Sequence, residues 1–283
     1  MHLRNSLSKK IALSTIVICC TVAAAWSQDI IKPGAKATLL APGVISTAAG
    51  EFAPTFTADR KTVYFTGDPT FICFSKWVNG AWSKPEVTSF SGKWKDMDPF
   101  LSPDGKRLFY SSYRPIVETP QSTQQKAAHI WYVDKLPGDK WSAPHHLDAP
   151  INLDGINDYA PAVSASGTLY FYSPNRDAAN KTTYYCKWLG DHYDSLKIIP
   201  IAGEGGVHDP YISPDERFLI FASGGNLYIC YQKGGTWGER QKLGPQVNDG
   251  AKNSSPCVSP DGKMLYYSSD HANGILMIPV KIQ

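Results

Sequence analysis

The sequence has no excess of either charge once its first 27 residues are set aside. It contains 28 Lys and Arg against 25 Asp and Glu, and Arg4, Lys9 and Lys10 account for the difference. From residue 28 onward there is also no stripe or cluster of basic residues. Nucleic-acid binding is therefore disfavoured, because it depends on neutralising phosphates. Charge-driven attraction to a membrane surface is disfavoured for the same reason.

Long apolar runs are absent except near the start. Basic residues precede an apolar run at 11–22, and the small residues of Ala-Ala-Ala-Trp-Ser at 23–27 follow it. This order is typical of a secretory signal peptide covering 1–27, with cleavage before residue 28. A retained membrane helix is the weaker alternative, since the run is shorter than the roughly 20 residues that span a bilayer. We predict an exported protein, periplasmic or secreted, with no transmembrane segment after the signal is removed.

Cysteine is scarce, and three familiar patterns are missing: a C-x-x-C pair, an amphipathic helix and the G-x-S-x-G nucleophile motif of hydrolases. Cys73, Cys186, Cys230 and Cys257 follow the signal region, most of them inside apolar, strand-like runs. An exported chain could oxidise such residues, but the surroundings favour buried free thiols.

One unit is present in five copies. The copies begin at Glu51, Asp96, Asn157, Val207 and Asn253, and each contains a shared proline, namely Pro54, Pro99, Pro161, Pro210 and Pro256. After each of the first four copies the chain continues with a loop, a third run rich in Tyr, Phe and Ile, a turn, and a fourth run that often opens with Trp. Short β-prone runs with turn signals between them predict four strands per unit.

The turn inside each copy has a structural explanation. In Ser102-Pro103-Asp104-Gly105, proline presets the backbone angle, aspartate accepts hydrogen bonds from nearby amides, and glycine supplies the left-handed conformation. The other copies keep only part of this pattern. Such variation is compatible with a requirement for shape rather than for chemistry.

Four-stranded units at this spacing predict an all-β fold, a five-bladed β-propeller of antiparallel blades. A single domain at 28–283 would contain blades at about 51–95, 96–156, 157–206, 207–252 and 253–283. The last blade has only three strands, and the segment 36–46 precedes the first copy as fourth strands precede the others. The N-terminal strand is therefore expected to close the ring, which would hide two sheet edges.

The repeats SPDGKRLFYSS and SPDGKMLYYSS resemble the WD-like propeller repeats of the Pro-Asp type, the kind found in the propeller of TolB. The resemblance covers the chain from about residue 36 to its end. It implies the propeller fold, whereas members of this repeat family serve as scaffolds, binding proteins and the propeller halves of peptidases. The chain lacks the N-terminal α/β domain of TolB and the hydrolase domain of the peptidases, so neither role is implied.

Candidate functional residues are expected on the face where first strands begin and second strands end. Ionisable groups from several blades converge there, and the two longest loops rise from the same face. The predicted ligand-binding residues are Asp96, Asp98, Arg114, Asp158, Arg176, His208, Asp209 and His271. Asp98 is notable because its counterparts are Ala53, Ala160, Asp209 and Ser255, so the repeat itself does not require an aspartate.

Three interpretations of this cluster are open. The carboxylates could cap backbone amides between blades. Alternatively, Arg114 and Arg176 could grip a polar ligand, a glycan or a protein partner, with Tyr113, Tyr159, Trp94 and Tyr211 as stacking surfaces. In the third interpretation the chain is a carbohydrate-active hydrolase or lyase.

In an enzyme, the carboxylates of Glu51, Asp98 and Asp158 would perform acid–base chemistry. No cofactor is predicted, although a divalent metal on His208, Asp209 and His271 is possible. From the sequence we favour non-catalytic recognition by an exported binding or scaffold propeller, with the enzyme as the alternative.

Overall fold

Five antiparallel sheets make up the computed structural model of this chain, which describes residues 30–177, 179 and 181–282. The sheets form the blades of a five-bladed β-propeller, so the predicted fold class is confirmed. Within the described residues no helix is long and apolar enough to cross a membrane. The predicted signal peptide at 1–27 lies outside them.

The strands follow one another blade by blade, with the first strand of each blade innermost. Blade 1 contains β2 (Phe52–Phe56), β3 (Thr62–Gly67), β4 (Phe71–Val78), β5 (Ala81–Trp82) and β6 (Glu86–Val87). Blade 2 contains β7 (Asp96–Leu101), β8 (Arg107–Ser112), β9 (His129–Leu136), β10 (Lys140–Trp141) and β11 (His145–His146). Blade 3 contains β12 (Tyr159–Val163), β13 (Leu169–Ser173), β14 (Thr182–Cys186) and β15 (Lys197–Ile198). Blade 4 contains β16 (His208–Ile212), β17 (Phe218–Ser223), β18 (Asn226–Lys233), β19 (Thr236–Trp237) and β20 (Gln241–Lys242). Blade 5 contains β21 (Asn253–Val258), β22 (Met264–Ser269), β23 (Gly274–Pro279) and β1 (Thr38–Leu39).

The N-terminal strand closes the ring, as the sequence predicted. Strand β1 pairs antiparallel with β23, so that Thr38 lies opposite Met277 and Leu39 opposite Leu276. The amide of Leu40 extends the contact by donating to a carbonyl of β23 at 2.8 Å. This pairing covers an edge that would otherwise present free backbone donors and acceptors.

The blades are buried on both faces. Strand β17 is buried at every position, and β3, β8 and β22 are buried at all but their first residue. Their Tyr, Phe, Leu and Ile side chains pack alternately against the two neighbouring blades, because successive residues of a strand point to opposite faces. Stacking the blades thus removes both faces of these strands from water. The four cysteines named above are buried, and the described residues pair none of them in a disulfide.

Each first strand carries a bulge at the channel. The residue before the shared proline has a positive φ in all five blades: Ala53 52°, Asp98 55°, Ala160 48°, Asp209 45° and Ser255 47°. The ladder to the second strand shifts register at the same place. Left-handed backbone at a non-glycine residue costs about 1–2 kcal/mol. The bulge nevertheless repeats in every blade, because it turns the backbone amide of this residue toward the preceding blade.

Hydroxyl groups of the preceding blade accept hydrogen bonds from three of those amides. The amide of Asp98 donates to Thr66 Oγ1 at 3.0 Å, and the amide of Ala160 donates to Ser111 Oγ at 3.1 Å. The amide of Ala53 donates to Ser268 Oγ at 3.3 Å across the closing contact of the ring. A row of hydrogen bonds around the channel therefore joins one blade to the next.

The channel is narrow below this row. Phe100 packs against three of the four hydrophobic clusters between blades, and its ring centroid lies 6.2 Å from that of Tyr211. Between these rings and the bulges the cavity measures only about 30 Å³, which is room for one or two water molecules. The channel is therefore constricted, and the constriction separates the face where the first strands begin from a cavity of about 320 Å³ beside the S-P-D-G turns.

The opposite face is formed by the S-P-D-G turns. Ser102 Oγ donates to Asp104 Oδ1 at 2.7 Å, the amide of Lys106 donates to the same oxygen at 3.1 Å, and Gly105 has a φ of 71°. Ser213 with Asp215 and Ser259 with Asp261 make the same side-chain bond. The carboxylates of these aspartates accept hydrogen bonds within their own turns.

Candidate functional site

Arg114 lies inside blade 2 instead of at the surface. Its Nη2 donates to both carboxylate oxygens of Asp96 at 3.2 Å and to a carbonyl of the preceding loop at 2.7 Å, while Nε donates to Ser112 Oγ at 3.2 Å. The guanidinium carbon lies 5.4 Å from the ring centroids of Tyr110 and Trp131. We call this space the slot of the blade. It is bounded by the acid of the first strand, the aromatic rings of the second and third strands, and the loop that precedes the blade.

The slot of blade 3 is filled in the same way. Arg176 Nη2 donates to the Asp158 carboxylate at 3.0 and 2.9 Å, and Nε contacts Ser173 Oγ at 3.4 Å. The guanidinium carbon lies 5.6 Å from the ring centroids of Phe171 and Tyr184. Burial raises the pKa of Asp158 to about 6, although the arginine opposes the shift.

In blade 4 an arginine reaches the slot from a different place in the sequence. Arg240 precedes β20, and its Nη1 donates to Ser223 Oγ at 3.0 Å while other nitrogens donate to carbonyls of 202–204. Its guanidinium carbon lies 5.4 Å from the Phe221 ring and 5.6 Å from the Tyr228 ring. The first-strand acid is absent here because Val207 occupies its position, and the loop carbonyls take over as acceptors.

These contacts assign Arg114 and Arg176 a different role from the predicted one. Both guanidinium groups are committed to Asp96 and Asp158, whose side chains have no exposed surface. A ligand could reach neither the arginines nor the two acids without breaking a buried ion pair, which costs roughly 3–5 kcal/mol. They are internal braces, and Asp158 is not available for acid–base chemistry.

Asp98 and Asp209 do face the channel. One oxygen of Asp98 accepts from Ser111 Oγ at 3.2 Å and from the Ala160 amide at 3.3 Å, and one oxygen of Asp209 accepts from the Ser255 amide at 3.4 Å. These carboxylates thus cap amides between blades, as the first interpretation of the sequence required. Among the described residues the second oxygen of each accepts no hydrogen bond, so it is free for a bound molecule.

Among the described residues no Lys or Arg pairs with Asp98 or Asp209, and the pKa values of both carboxyl groups are raised. Asp98 and Asp209 line the same water-sized section of the channel. Burial, together with the charge of Asp209, raises the pKa of Asp98 to about 7. Burial also raises the pKa of Asp209, against the opposing effects of the Ser255 amide and His208. Two carboxyl groups that share an enclosed space cannot both ionise easily.

A cavity of about 420 Å³ opens above Asp209, at the ends of blades 1, 4 and 5. Its volume lies in the range of about 300–1,000 Å³ that small-molecule sites occupy. Asp209 lines both this mouth cavity and the narrow section beneath it. Hydroxyl and amide side chains form much of the remaining wall, contributed by Asn253, Ser254, Ser268, Ser269 and Asn273. Lys252 also lines the cavity.

His208 is held at the wall of the mouth cavity. Its ring lies 4.5 Å from the Tyr172 ring, centroid to centroid, and it contacts the carbonyl of Lys181. Burial lowers its pKa, with the charge of Asp209 and the carbonyl opposing the shift. A largely neutral imidazole at pH 7 can form hydrogen bonds to a ligand without adding charge.

The remaining predicted residues lie outside this cavity or at its edge. Glu51 is at the edge, where its carboxylate is bonded to Thr47. His271 is exposed on the turn after β22. Other groups bond to each other away from the cavity: Tyr113 Oη lies 2.6 Å from Tyr159 Oη, and Trp94 donates to Glu118 at 3.2 Å. The predicted stacking surface is therefore not assembled there.

The metal site left open by the sequence lacks a ligand set. Across the residues that the structure describes, no three His, Cys, Asp or Glu side chains converge on a point that an ion could occupy. His208 and Asp209 are adjacent, whereas His271 is not part of their cavity. No chemical step is therefore derived through a metal.

No protein-family model matches the sequence, and no curated protein matches it. Solved structures match the fold. A gluconolactonase from Xanthomonas campestris aligns with a TM-score of 0.51 at 12% identity, over 89% of this chain and 92% of its own. A glucose dehydrogenase aligns with a TM-score of 0.50 at 11% identity, over 88% of this chain and 99% of its own.

These matches correct the favoured functional interpretation. The sequence was interpreted as a non-catalytic binding or scaffold protein, but both of the matching structures reported above are named as enzymes. The non-catalytic interpretation is therefore wrong on this comparison, and the enzymatic alternative is better supported. At such low identity the matches establish the fold, so the chemistry has to be argued from the site.

Proposed function

We propose that this chain is a carbohydrate-active hydrolase or lyase with Asp209 and Asp98 as its acid–base pair. The observation that carries the proposal is that these two carboxylates lack a cationic partner among the described residues and share a water-sized section of channel beneath the mouth cavity. Paired carboxyl groups whose surroundings alter their pKa values are the usual basis of acid–base catalysis.

Their positions suggest separate tasks. Asp209 borders the mouth cavity, so it is the carboxylate that contacts the substrate and takes a proton from water or from the substrate itself. Asp98 lies in the narrow section and has a pKa of about 7, so near neutral pH it can hold or release the proton that the pair shares. Groups with a pKa close to the working pH transfer protons most effectively.

The mouth cavity is suited to a sugar derivative. Serine and asparagine side chains provide donors and acceptors for hydroxyl groups, and Lys252 provides a partner for a carboxylate or a polarised carbonyl. We therefore propose sugar acids and their lactones or oligomers as the substrate class. The gluconolactonase that matches the fold is named for one such molecule, which makes aldonolactones the first compounds to test.

The test is a substrate screen followed by a matched pair of variants. Purified protein is assayed on aldonolactones, uronic-acid oligosaccharides and aryl glycosides, with acid release, unsaturated product and free phenol as readouts. For any substrate that reacts, Asp209→Asn should lower kcat/KM by about 10²–10⁴-fold, since it removes a positioned base. The control is Asp154→Asn, which changes an exposed aspartate. Full activity in Asp209→Asn would exclude the proposed site.

Several expectations remain part of this proposal. They are membership of the TolB-like Pro-Asp repeat family, export to the periplasm or the outside of the cell, and a small polar substrate or glycan as the binding partner. A chelator added to the same assays tests the divalent metal. Loss of activity on chelation would require a ligand set other than the predicted His208, Asp209 and His271.

A further inference from the structure

Blade 1 differs from blades 2, 3 and 4 in having no arginine for its slot. Counting from the end of the paired second strand gives the counterparts of Arg114 and Arg176, and the pairing of the fourth strand gives the counterpart of Arg240. The corresponding residues of blade 1 are Pro69, Thr70 and Pro85. None of the three can supply a cation, so this slot has to be closed in another way or left open.

It is left open. Gly67 occupies the position of Ser112, and Cys73 occupies the position of Trp131. Both changes remove side-chain volume from the slot. The result is a cavity of about 630 Å³ that reaches Gly67, Cys73 and the loop at 43–49, the counterpart of the loop whose carbonyls accept from arginine in blades 2 to 4.

The chemical character of the slot is nevertheless retained. Glu51 corresponds to Asp96 and Phe65 to Tyr110, and both line the cavity. Glu51 is only 8% exposed, and its carboxylate accepts from the Thr47 amide at 2.7 Å and from Thr47 Oγ1 at 2.5 Å. Among the described residues no Lys, Arg or His forms an ion pair with it, although Lys84 lies exposed at the cavity edge.

We propose that this cavity binds the guanidinium group of a ligand, held by Glu51 against the ring of Phe65. Three other blades of the same chain hold a guanidinium in the corresponding place, with a carboxylate or carbonyls as acceptors and aromatic rings on its faces. A planar guanidinium matches this arrangement better than an ammonium group, because it pairs bidentately and stacks on rings. The inference does not depend on the proposed enzymatic function.

The first experiment measures binding of n-butylguanidinium to the full chain by calorimetry, with the neutral isostere n-butylurea as the reference probe. We expect butylguanidinium to bind at least 10-fold more tightly, and Glu51→Gln to remove that difference. Glu86→Gln is the matched control, since Glu86 is an exposed glutamate of the same blade. Equal affinity for the two probes, or unchanged affinity in Glu51→Gln, would overturn the proposal.

A second variant keeps the proposal testable if Glu51→Gln fails to fold. Phe65→Leu removes the ring against which the guanidinium would stack and leaves Glu51 in place. We expect the affinity for butylguanidinium to fall by about 2- to 10-fold, while the weaker affinity for butylurea changes little. Unchanged affinity for butylguanidinium in a folded Phe65→Leu protein would overturn the proposal.

A guanidinium group could come from a small molecule or from an arginine side chain of another protein. The capped peptide acetyl-Gly-Arg-Gly-amide distinguishes the two sources when it is titrated beside butylguanidinium. Affinity for the peptide at least 10-fold higher would assign the slot to a protein partner, and similar affinities would assign it to a small cation. Failure of both probes to bind would overturn the proposal in either form.

Discussion

Strand β7 carries two aspartates, two residues apart, that lie in very different surroundings. Asp96 points into the slot of blade 2, where Arg114 neutralises it at 3.2 Å. Asp98 points into the channel, where the charge of another carboxylate, Asp209, adds to burial in raising its pKa. The comparison separates two kinds of buried carboxylate in this fold, and the proposed function assigns chemistry to only one of them. A buried acid with its own cation is a brace, whereas a buried acid facing another acid is available for chemistry.

The largest effect is expected when the brace is broken. Arg114→Met leaves the Asp96 carboxylate buried without a cation, and the free energy of unfolding should fall by about 3–5 kcal/mol. Urea denaturation checks this value. Arg60→Met is the control, because the Arg60–Asp261 pair at 2.7 Å is largely exposed and is expected to contribute less than about 1 kcal/mol.

A double variant sharpens the same measurement. In Asp96→Asn/Arg114→Met neither charge remains, so most of the lost stability should return. If the double variant were as unstable as Arg114→Met alone, packing of the arginine against Tyr110 and Trp131 would account for its contribution, and the electrostatic account would be wrong.

The second prediction concerns Asp98 and pH. Its pKa in the folded protein is about 7 against an ordinary value of 3.8, so ionisation of the unfolded chain above about pH 4 penalises folding until about pH 7. Asp98→Asn removes this penalty. The variant should match the wild type near pH 4 and become more stable as the pH rises to 7, by on the order of 4 kcal/mol at the plateau. Melting temperatures across this range test it, and a difference independent of pH would contradict it.

The smallest effect is expected on the opposite face. Asp104→Ala removes two hydrogen bonds of an exposed turn, to Ser102 and Lys106. We expect a loss of about 0.5–1.5 kcal/mol in the free energy of unfolding and no change in the activity of whichever substrate the screen identifies. A large loss of activity would show that the S-P-D-G face takes part in function.

The fold was predictable because it depends on features that repeat. The shared prolines, the S-P-D-G turns and the unpaired strand near residue 38 are all visible in the sequence, and together they predicted five blades and closure by the N-terminal strand. Propeller blades must pack alike, so the sequence repeats what packing demands. Asp98 and Asp209 were identified for the opposite reason, since they depart from small residues at the same position.

The roles of the arginines were harder to predict from the sequence. Arg114 and Arg176 each follow their aspartate by 18 residues, and this shared spacing is a signal of a repeated brace in the sequence. Arg240 could not be found in that way, because it reaches its slot from the fourth strand. The cavity of blade 1 depends on what Gly67 and Cys73 leave unfilled, which becomes visible only when the blades are compared in space.

The constriction of the channel limits which substrates a site beneath the mouth cavity can serve. Below Asp98 and Asp209 the passage is water-sized, and Phe100 and Tyr211 lie beyond it. A long polymer cannot thread through such a passage, so only a small molecule or the free end of a chain can reach the carboxylates. Products must leave through the opening by which the substrate arrived. Each product molecule therefore has to be released through the mouth cavity before the next substrate can bind.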